Sequence, residues 1–432
     1  MNATPLAGAL PRAVLVLWLV STPALAAGPV AHVLPTVEQL PDGSELVLAS
    51  RPQAAWASLH YVVRTGGWKD PYGKEGLAHV LEHVIFHGSH DVPGQTFQTA
   101  VRAAGGNFNG YTSANATVFT LQVPSESFPP LAEQFLRIIT DPLLDPEHLR
   151  REVDIIRTED LYFGRGPGFH EHLEDSLFTG IGSRSVIGTQ QSRLSITRDD
   201  LMRFYAEHYL PANTSLVFTG GVQREQVLAM IDRSVRLPPS LPGENVPAKV
   251  EAPVLPIEKS TRALISFVAY GYRVEPEDRA KCSRVAALLQ LRLTKELHIE
   301  EPMVTGMEVK CMSLRGNTFL LALAYSASLD ASTLPDRLQH AFSRVAKQPA
   351  TPEEEKLMDR HLKQERAQEE EDDLKRGTEL AREVAQPRSG PLDPALLLNP
   401  STRLPRGAMQ DFARRTFTPE RQVMVNFSPF AG

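Results

Sequence analysis

Residues 76–87 read GLAHVLEHVIFH, and this stretch constrains the local fold and the chemistry of the chain more than any other. Its apolar residues recur with the spacing of one helical face, which predicts a helix over Gly76–His87. His79 and His83 are then one turn apart, so both imidazoles leave the same side of the helix. Glu82 follows His79 by three residues and lies on that side as well.

The two histidines and Glu82 form the pattern H-x-x-E-H, the reverse of the commoner H-E-x-x-H arrangement of zinc peptidases. Two imidazoles at this spacing can bind one Zn2+ at about 2.0–2.1 Å. Glu82 can reach a zinc-bound water without being a ligand itself. The alternative is two surface histidines that flank a carboxylate by chance, which is expected only rarely in a chain of this length. The pattern therefore predicts a metal site that includes His79 and His83.

His87 lies another four residues after His83. Three histidines at this spacing climb about 12 Å along a helix axis, which is too far for one ion. We therefore interpret His87, together with His90 and His60, as a surface or packing residue.

The region around the pattern resembles the pitrilysin, insulysin and mitochondrial processing peptidase family. The quoted segments that carry the resemblance are Leu40-Pro41-Asp42-Gly43, Gly66-Gly67, Gly76 to His83, Gly105-Gly106-Asn107-Phe108-Asn109 and the helix Glu152 to Glu159. In that family a glutamate well downstream of the motif is the third ligand, and a second glutamate, two helical turns before it, supports the site. The resemblance thus implies Glu159 as ligand, Glu152 as supporting residue, and one Zn2+ per chain. It also implies peptide-bond hydrolysis with Glu82 as general base.

Glu152 and Glu159 are seven residues apart, so a helix over Pro146–Tyr162 would place both carboxylates on one face. Without the motif, this pair would be interpreted as part of a solvated helix face.

The glycines before Asn109 could also form a phosphate-binding loop, but no Gly-Lys-Ser/Thr sequence follows them. The resemblance points instead to a turn before a strand near Asn115 to Val123, where a peptide substrate could add to the sheet edge. Asn109 would then contact the peptide, or serve only as a turn residue.

The length of 432 residues suits two domains of about 200 residues each. A Pro-rich segment at 237–256 predicts a linker between an N-terminal zinc-binding peptidase domain at 27–236 and a C-terminal peptidase-like domain at 257–432. The pattern Phe204, Tyr209, Pro211 recurs at a constant offset as Phe412, Phe417, Pro419, which indicates a duplicated domain. The expected fold class is α+β, with two related domains that each pack helices on a mixed, mainly antiparallel sheet.

Both halves alternate between segments of strand-like and of helical periodicity. The predicted strands are Glu45–Ala49, Ser58–Arg64, Thr117–Val123, Ser215–Thr219, Ala263–Ala269 and Thr318–Ser326. The predicted helices are Gly76–His87, Thr96–Ala104, Pro130–Ile139, Pro146–Tyr162, Arg279–His298 and Pro352–Val384. The acidic run Glu369–Asp373 within the last helix is interpreted as a solvated face.

Residues 1–26 have the pattern of a secretory signal, with a short apolar core at Ala13–Val20 and the cleavage sequence Ala24-Leu25-Ala26. An uncleaved anchor or a buried helix is the alternative, but a membrane span takes roughly 20 apolar residues. We therefore expect an exported, periplasmic protein without a stable membrane anchor. The net charge of −6, with no basic run, argues against nucleic-acid binding.

The two cysteines are Cys282 and Cys311. An oxidising compartment would permit a disulfide between them, but we expect two buried free thiols. Their spacing does not fit a structural zinc site.

The second half departs from the family where related active proteins carry a substrate-binding Arg and Tyr. A hand alignment places His298 and Thr305 at these positions, and no Tyr occurs between residues 273 and 324. An oxyanion without its donor costs about 2.7–4 kcal/mol. Since the family includes two-chain enzymes with zinc on one subunit and the Arg–Tyr pair on the other, the resemblance implies a homologous partner subunit. A catalytically silent scaffold or peptide-binding subunit of the same family, and an unrelated exported binding protein, are the alternatives.

Overall fold

The computed structural model describes residues 34–162, 173, 176–178, 186–237, 253–262, 266–314, 316–326, 332–386, 392, 404–405 and 407–428. The predicted signal at residues 1–26 and most of the predicted linker at 237–256 lie outside these residues. The division into domains at that linker therefore stays a prediction.

Six strands of the first half form one sheet in the order β1-β2-β6-β3-β5-β4. Their bounds are β1 Thr36–Gln39, β2 Glu45–Ser50, β3 Trp56–Val63, β4 Asn107–Thr112, β5 Thr117–Pro124 and β6 Thr214–Gly220. Only the β2–β6 pair among them is parallel. All residues of β6 are buried because helices cover both faces of the sheet at this central strand.

The helices of the first half pack mainly on one face of this sheet and enclose a continuous apolar core. Their bounds are α1 Leu77–Ile85, α2 Gly94–Ala103, α3 Phe128–Thr140, α4 Pro146–Tyr162, α5 Gln190–Ser195, α6 Arg198–His208 and α7 Arg224–Ser234. The bounds of α4 are those that the sequence predicts.

The second half repeats this topology in a five-stranded sheet with the order β7-β11-β8-β10-β9. Its strands are β7 Ile257–Arg262, β8 Phe267–Val274, β9 Val304–Leu314, β10 Asn317–Ser326 and β11 Gln422–Ser428. Its helices are α8 Arg279–Leu293, continued by a π-helical segment Thr294–Glu300, α9 Leu334–Lys347, α10 Pro352–Glu371, α11 Asp373–Val384 and α12 Ala408–Thr416. The pair β7–β11 is parallel, as β2–β6 is, and the other pairs are antiparallel. The expected α+β fold with two related sheets is confirmed.

Each sheet is covered on its second face by a segment that comes from the other half of the chain. Helix α11 packs on β3 and β6, where Leu380 and Val384 join the apolar side chains of the first sheet. Conversely, Leu173 and Phe178 pack against the second sheet. The two halves are therefore held together by exchanged elements, which buries apolar surface that a separate half would expose.

The predicted helix Pro352–Val384 is interrupted, since α10 ends and α11 begins around Asp372. Asp372 caps α11 by accepting hydrogen bonds from the backbone N–H groups of Leu374 and Lys375. Asp373 is buried and pairs with Arg51 of the first half. The interpretation of the run Glu369–Asp373 as a solvated face is therefore wrong for Asp373, because α11 carries it onto the first sheet.

Cys282 and Cys311 form a disulfide that links α8 to β9, with their Cα atoms 6.0 Å apart. The expectation of two free thiols is therefore wrong. The sequence could not show this pairing, because it depends on how α8 packs against the neighbouring edge strand.

Among the described residues, no helix combines the length and apolar character that crossing a bilayer requires.

Replacing His60 with Gln should reduce the loss of stability in acid. His60 lies beneath Gly377 and Thr378 of α11, and burial lowers its pKa to about 3. Below about pH 6.5 the unfolded chain takes up a proton that the folded protein excludes, so stability is lost as the pH falls. Between pH 7 and pH 5, wild type should lose about 2 kcal/mol more unfolding free energy than His60→Gln.

The measurement is urea unfolding at each pH, followed by tryptophan fluorescence, since Trp56 and Trp68 both lie in the first half. The control is His340→Gln, which removes an exposed histidine of α9. An equal pH dependence in wild type and His60→Gln would contradict the assignment.

Candidate metal centre and active site

The start of helix α1 is fixed by a buried carboxylate. Asp70 accepts hydrogen bonds from the backbone N–H groups of Gly76, at 2.7 Å, and Ala78, at 2.9 Å. Gly76 has a φ of 97°, a left-handed conformation that favours glycine. This cap sets the rotation of the helix, and hence the directions of His79 and His83, about one and two turns later.

The imidazoles of His79 and His83 are nearly perpendicular to each other, with their Nε2 atoms 3.3 Å apart. The Nδ1 atom of His83 lies 2.9 Å from Oε2 of Glu152 on α4. An ionised carboxylate only accepts, so Nδ1 of His83 donates and its Nε2 carries the lone pair in the neutral ring. Burial lowers the pKa of His79 to about 3, which keeps that ring neutral.

Glu159, two turns after Glu152 on α4, points to the same place. Its Oε2 lies 3.6 Å from Nε2 of His83 and 3.9 Å from Nε2 of His79. Ligands of a tetrahedral zinc site are about 3.3 Å apart when each bond is 2.0–2.1 Å. Two imidazole nitrogens and one carboxylate oxygen are thus close to the spacing that a zinc ion would need, and their chemistry fits that metal.

Glu82 forms the buried wall of the same site. Its Oε2 lies 3.9 Å from Nε2 of His79, and Thr112 donates to it at 3.4 Å. Gly110 leaves room for the carboxylate, since a Cβ there would meet Glu82 Oε1 at 2.3 Å. Burial raises the pKa of Glu82 to about 7, and a bound cation would lower it again. The position of this carboxylate beside the ligand nitrogens allows it to exchange protons with a group bound in the site.

These groups line a cavity of about 420 Å³ between α1, α4 and the edge strand β4. In the part of the chain that the structure describes, the lining side chains all come from the first half. Asn109 is exposed on β4 at this cavity, and in the described residues β4 has a neighbouring strand on one side only. The expected peptide-binding edge near Asn115 to Val123 is wrong, because β5 pairs with both β3 and β4. The free edge beside the cavity belongs to β4 instead.

His87 is the residue that the sequence interpretation missed. Its Nε2 lies 2.7 Å from Oε1 of Glu152, and its side chain lines the cavity. His60, which is buried, and His90, which is exposed, are the packing and surface residues that the sequence predicts. The four-residue spacing from His79 to His83 to His87 indicates that His87 lies near the site. Its contact with Glu152 on α4 depends on the tertiary structure.

The remaining predicted positions lie elsewhere. His298 is in the π-helical segment after α8, with its Nδ1 3.2 Å from the carbonyl oxygen of Val304, and Thr305 follows on β9. Neither is among the residues that line the cavity. The residues that do line it together are His79, Glu82, His83, Glu152, Glu159 and Asn109.

Comparison with known proteins gives matches along both halves. Residues 45–165 match the family model described as insulinase, peptidase family M16, and residues 195–364 match the model described as the peptidase M16 inactive domain. Together these matches cover about two thirds of the chain.

Two curated relatives illustrate the sequence similarity. An uncharacterised zinc protease of Rickettsia bellii is 24% identical over 201 residues, which cover 46% of this chain and 48% of the relative. A probable mitochondrial-processing peptidase subunit beta of Arabidopsis thaliana is 24% identical over 206 residues, covering 46% of this chain and 38% of the relative. The chain thus matches about half or less of the length of these relatives.

One solved structure, the first half of the periplasmic protease PqqL from Escherichia coli, shows the same fold. It superposes with a TM-score of 0.68 over 92% of both chains, at 17% sequence identity.

Proposed function

The chain belongs to the peptidase M16 family, and from this premise we propose that it is a zinc metallopeptidase that hydrolyses peptide bonds. One observation carries the proposal: Nε2 of His79, Nε2 of His83 and Oε2 of Glu159 lie within 3.9 Å of one another beside the buried Glu82. Two imidazole nitrogens and one carboxylate oxygen at this distance can all be ligands of one zinc ion.

His79, His83 and Glu159 would hold the ion. Both Glu82 and Glu159 lie 3.9 Å from Nε2 of His79, so either carboxylate could be the third ligand by that distance alone. Glu159 also comes to 3.6 Å from Nε2 of His83, whereas Glu82 is buried against Thr112 and Gly110. We assign Glu159 as the ligand for this reason, and Glu82 remains free to move protons.

Bound zinc would act as a Lewis acid that acidifies water and polarises the scissile carbonyl. Glu82 accepts the proton of the attacking water and delivers it to the leaving amine. Glu152 accepts from Nδ1 of His83 and so keeps Nε2 of that ring available as a ligand atom. The exposed edge of β4 can hold an extended peptide by main-chain hydrogen bonds, with Asn109 beside it.

A homologous partner subunit would supply the missing Arg–Tyr pair. Among the described residues, the cavity is lined by the first half alone, and neither His298 nor Thr305 contributes to it. One of the relatives is itself named as a subunit, and the PqqL structure is described as one half of a protease. These names support a two-part enzyme of which this chain would be the zinc-bearing part.

A catalytically silent scaffold of the same family is the second candidate. It is favoured by the match of residues 195–364 to a model described as an inactive domain. A catalytic role is favoured by the residues that share the cavity, which are His79, Glu82, His83 and Glu159. A scaffold does not need a buried proton acceptor beside three candidate metal ligands.

Replacing Glu82 with Gln should leave zinc content near one per chain and lower kcat by about 10²–10⁴. The amide fills the same space but cannot accept the proton. The measurement combines zinc analysis with hydrolysis of an unfolded peptide. The matched control is Glu126→Gln, an exposed position outside the cavity. Normal turnover by Glu82→Gln would show that Glu82 is not the base. If wild type binds zinc but does not hydrolyse peptides even with its partner, the catalytically silent scaffold is favoured.

The isolated chain should bind zinc but turn over peptides about 10²–10³ more slowly than the assembled enzyme, because the oxyanion donors are missing. Native mass measurement and peptide hydrolysis on the same preparation test this. A monomer with full activity would refute the need for a partner.

Export to the periplasm is proposed from the signal-like sequence at residues 1–26, and the PqqL protease of similar fold is described as periplasmic. N-terminal sequencing of protein from the periplasmic fraction should then begin at Ala27. Recovery of the protein from the cytoplasm with its N-terminus uncleaved would contradict the proposed export.

A further inference from the structure

We propose that His87 is a positioning residue of the metal centre, which holds Glu152 in the orientation that fixes His83. The inference rests on the proposed zinc function and adds a residue to that site. His87 does not bind the metal itself, because its Nε2 is engaged with Glu152.

The carboxylate of Glu152 is shared between two imidazoles. Its Oε2 lies 2.9 Å from Nδ1 of His83, and its Oε1 lies 2.7 Å from Nε2 of His87. Both distances are those of hydrogen bonds. Because a carboxylate oxygen accepts, each imidazole donates one N–H to Glu152.

Two hydrogen bonds fix the orientation of the Glu152 carboxylate, whereas one would leave it free to rotate. The terminal torsion of a glutamate is broad, so a single hydrogen bond would allow the carboxylate to rotate away from His83. The donor from His87 holds the second oxygen and thereby sets the plane of the group. The direction of Nδ1–H in His83, and of its Nε2 toward His79, follows from that plane.

His87 is well placed for this role because its backbone and its ring are both held. Its N–H donates to the carbonyl oxygen of Val84 at 3.1 Å, and its own carbonyl oxygen accepts from Gly94 at 3.0 Å. The ring stacks on His148 of α4, with centroids 4.0 Å apart and an interplanar angle of 9°. His148 lies one helical turn before Glu152, so the stack fixes His87 relative to the carboxylate that it contacts.

Two substitutions separate the hydrogen bond from the packing. His87→Phe keeps a ring for the stack on His148 but removes the donor, whereas His87→Gln keeps an N–H donor and removes the ring. The control is His90→Gln, three residues further on, whose side chain is 64% exposed. For each variant, the zinc dissociation constant is measured by competition with a chromophoric chelator. The thermal midpoint of the zinc-free protein, kcat and KM are measured alongside.

We expect His87→Phe to bind zinc about 10-fold more weakly and to show a lower kcat with an unchanged KM. His87→Gln should restore most of the zinc affinity, and His90→Gln should match wild type. A His87→Phe variant that binds zinc as tightly as wild type would overturn the inference. So would a His87→Gln variant as weak as His87→Phe, since an N–H donor at this position would then fail to restore the site. Wild type that binds no zinc would instead overturn the proposed function, and this inference with it.

Discussion

The site depends on the packing of α1 against α4, two helices separated by 60 residues of chain. The hydrogen bond between His83 on α1 and Glu152 on α4 is the contact that ties them together at the chemical centre. Once this contact exists, Glu159 falls two turns further along α4, opposite both ligand nitrogens. The sheet beneath supplies the platform: β4 places Gly110 and Thr112 against Glu82, and the Asp70 cap sets the start of α1.

Electrostatics explains why these groups can share so small a space. Three carboxylates surround two imidazoles, and such a cluster of buried or half-buried acceptors is costly without positive charge. Glu152 gains two N–H donors, whereas burial keeps His79 neutral and favours a proton on Glu82. Nε2 of His79, Nε2 of His83 and Oε2 of Glu159 converge on one point, where a divalent cation would contact all three.

The second half joins its corresponding helices by a different means. Helices α8 and α10 occupy the positions in the topology that α1 and α4 have in the first half. There, the buried Arg284 of α8 pairs with Glu355 and Asp359 of α10. A permanent cation on one helix and carboxylates on the other thus hold this pair without histidines. The same fold therefore carries a candidate metal site in one half and an ion pair in the other. Helix α11 of the second half packs on the sheet of the first and so joins the two halves.

The sequence by itself determined what depends on neighbours along the chain. The spacing of His79, Glu82 and His83 fixed their common face, and the seven residues between Glu152 and Glu159 fixed theirs, because a helix repeats every 3.6 residues. The constant offset between the halves likewise anticipated the two matching sheets. Tertiary structure alone decided which strand is the free edge, that Asp373 is buried against Arg51, that Cys282 meets Cys311, and that His87 reaches Glu152. Each of these joins residues far apart in the chain, so it is set by how helices and sheets pack and not by any local periodicity.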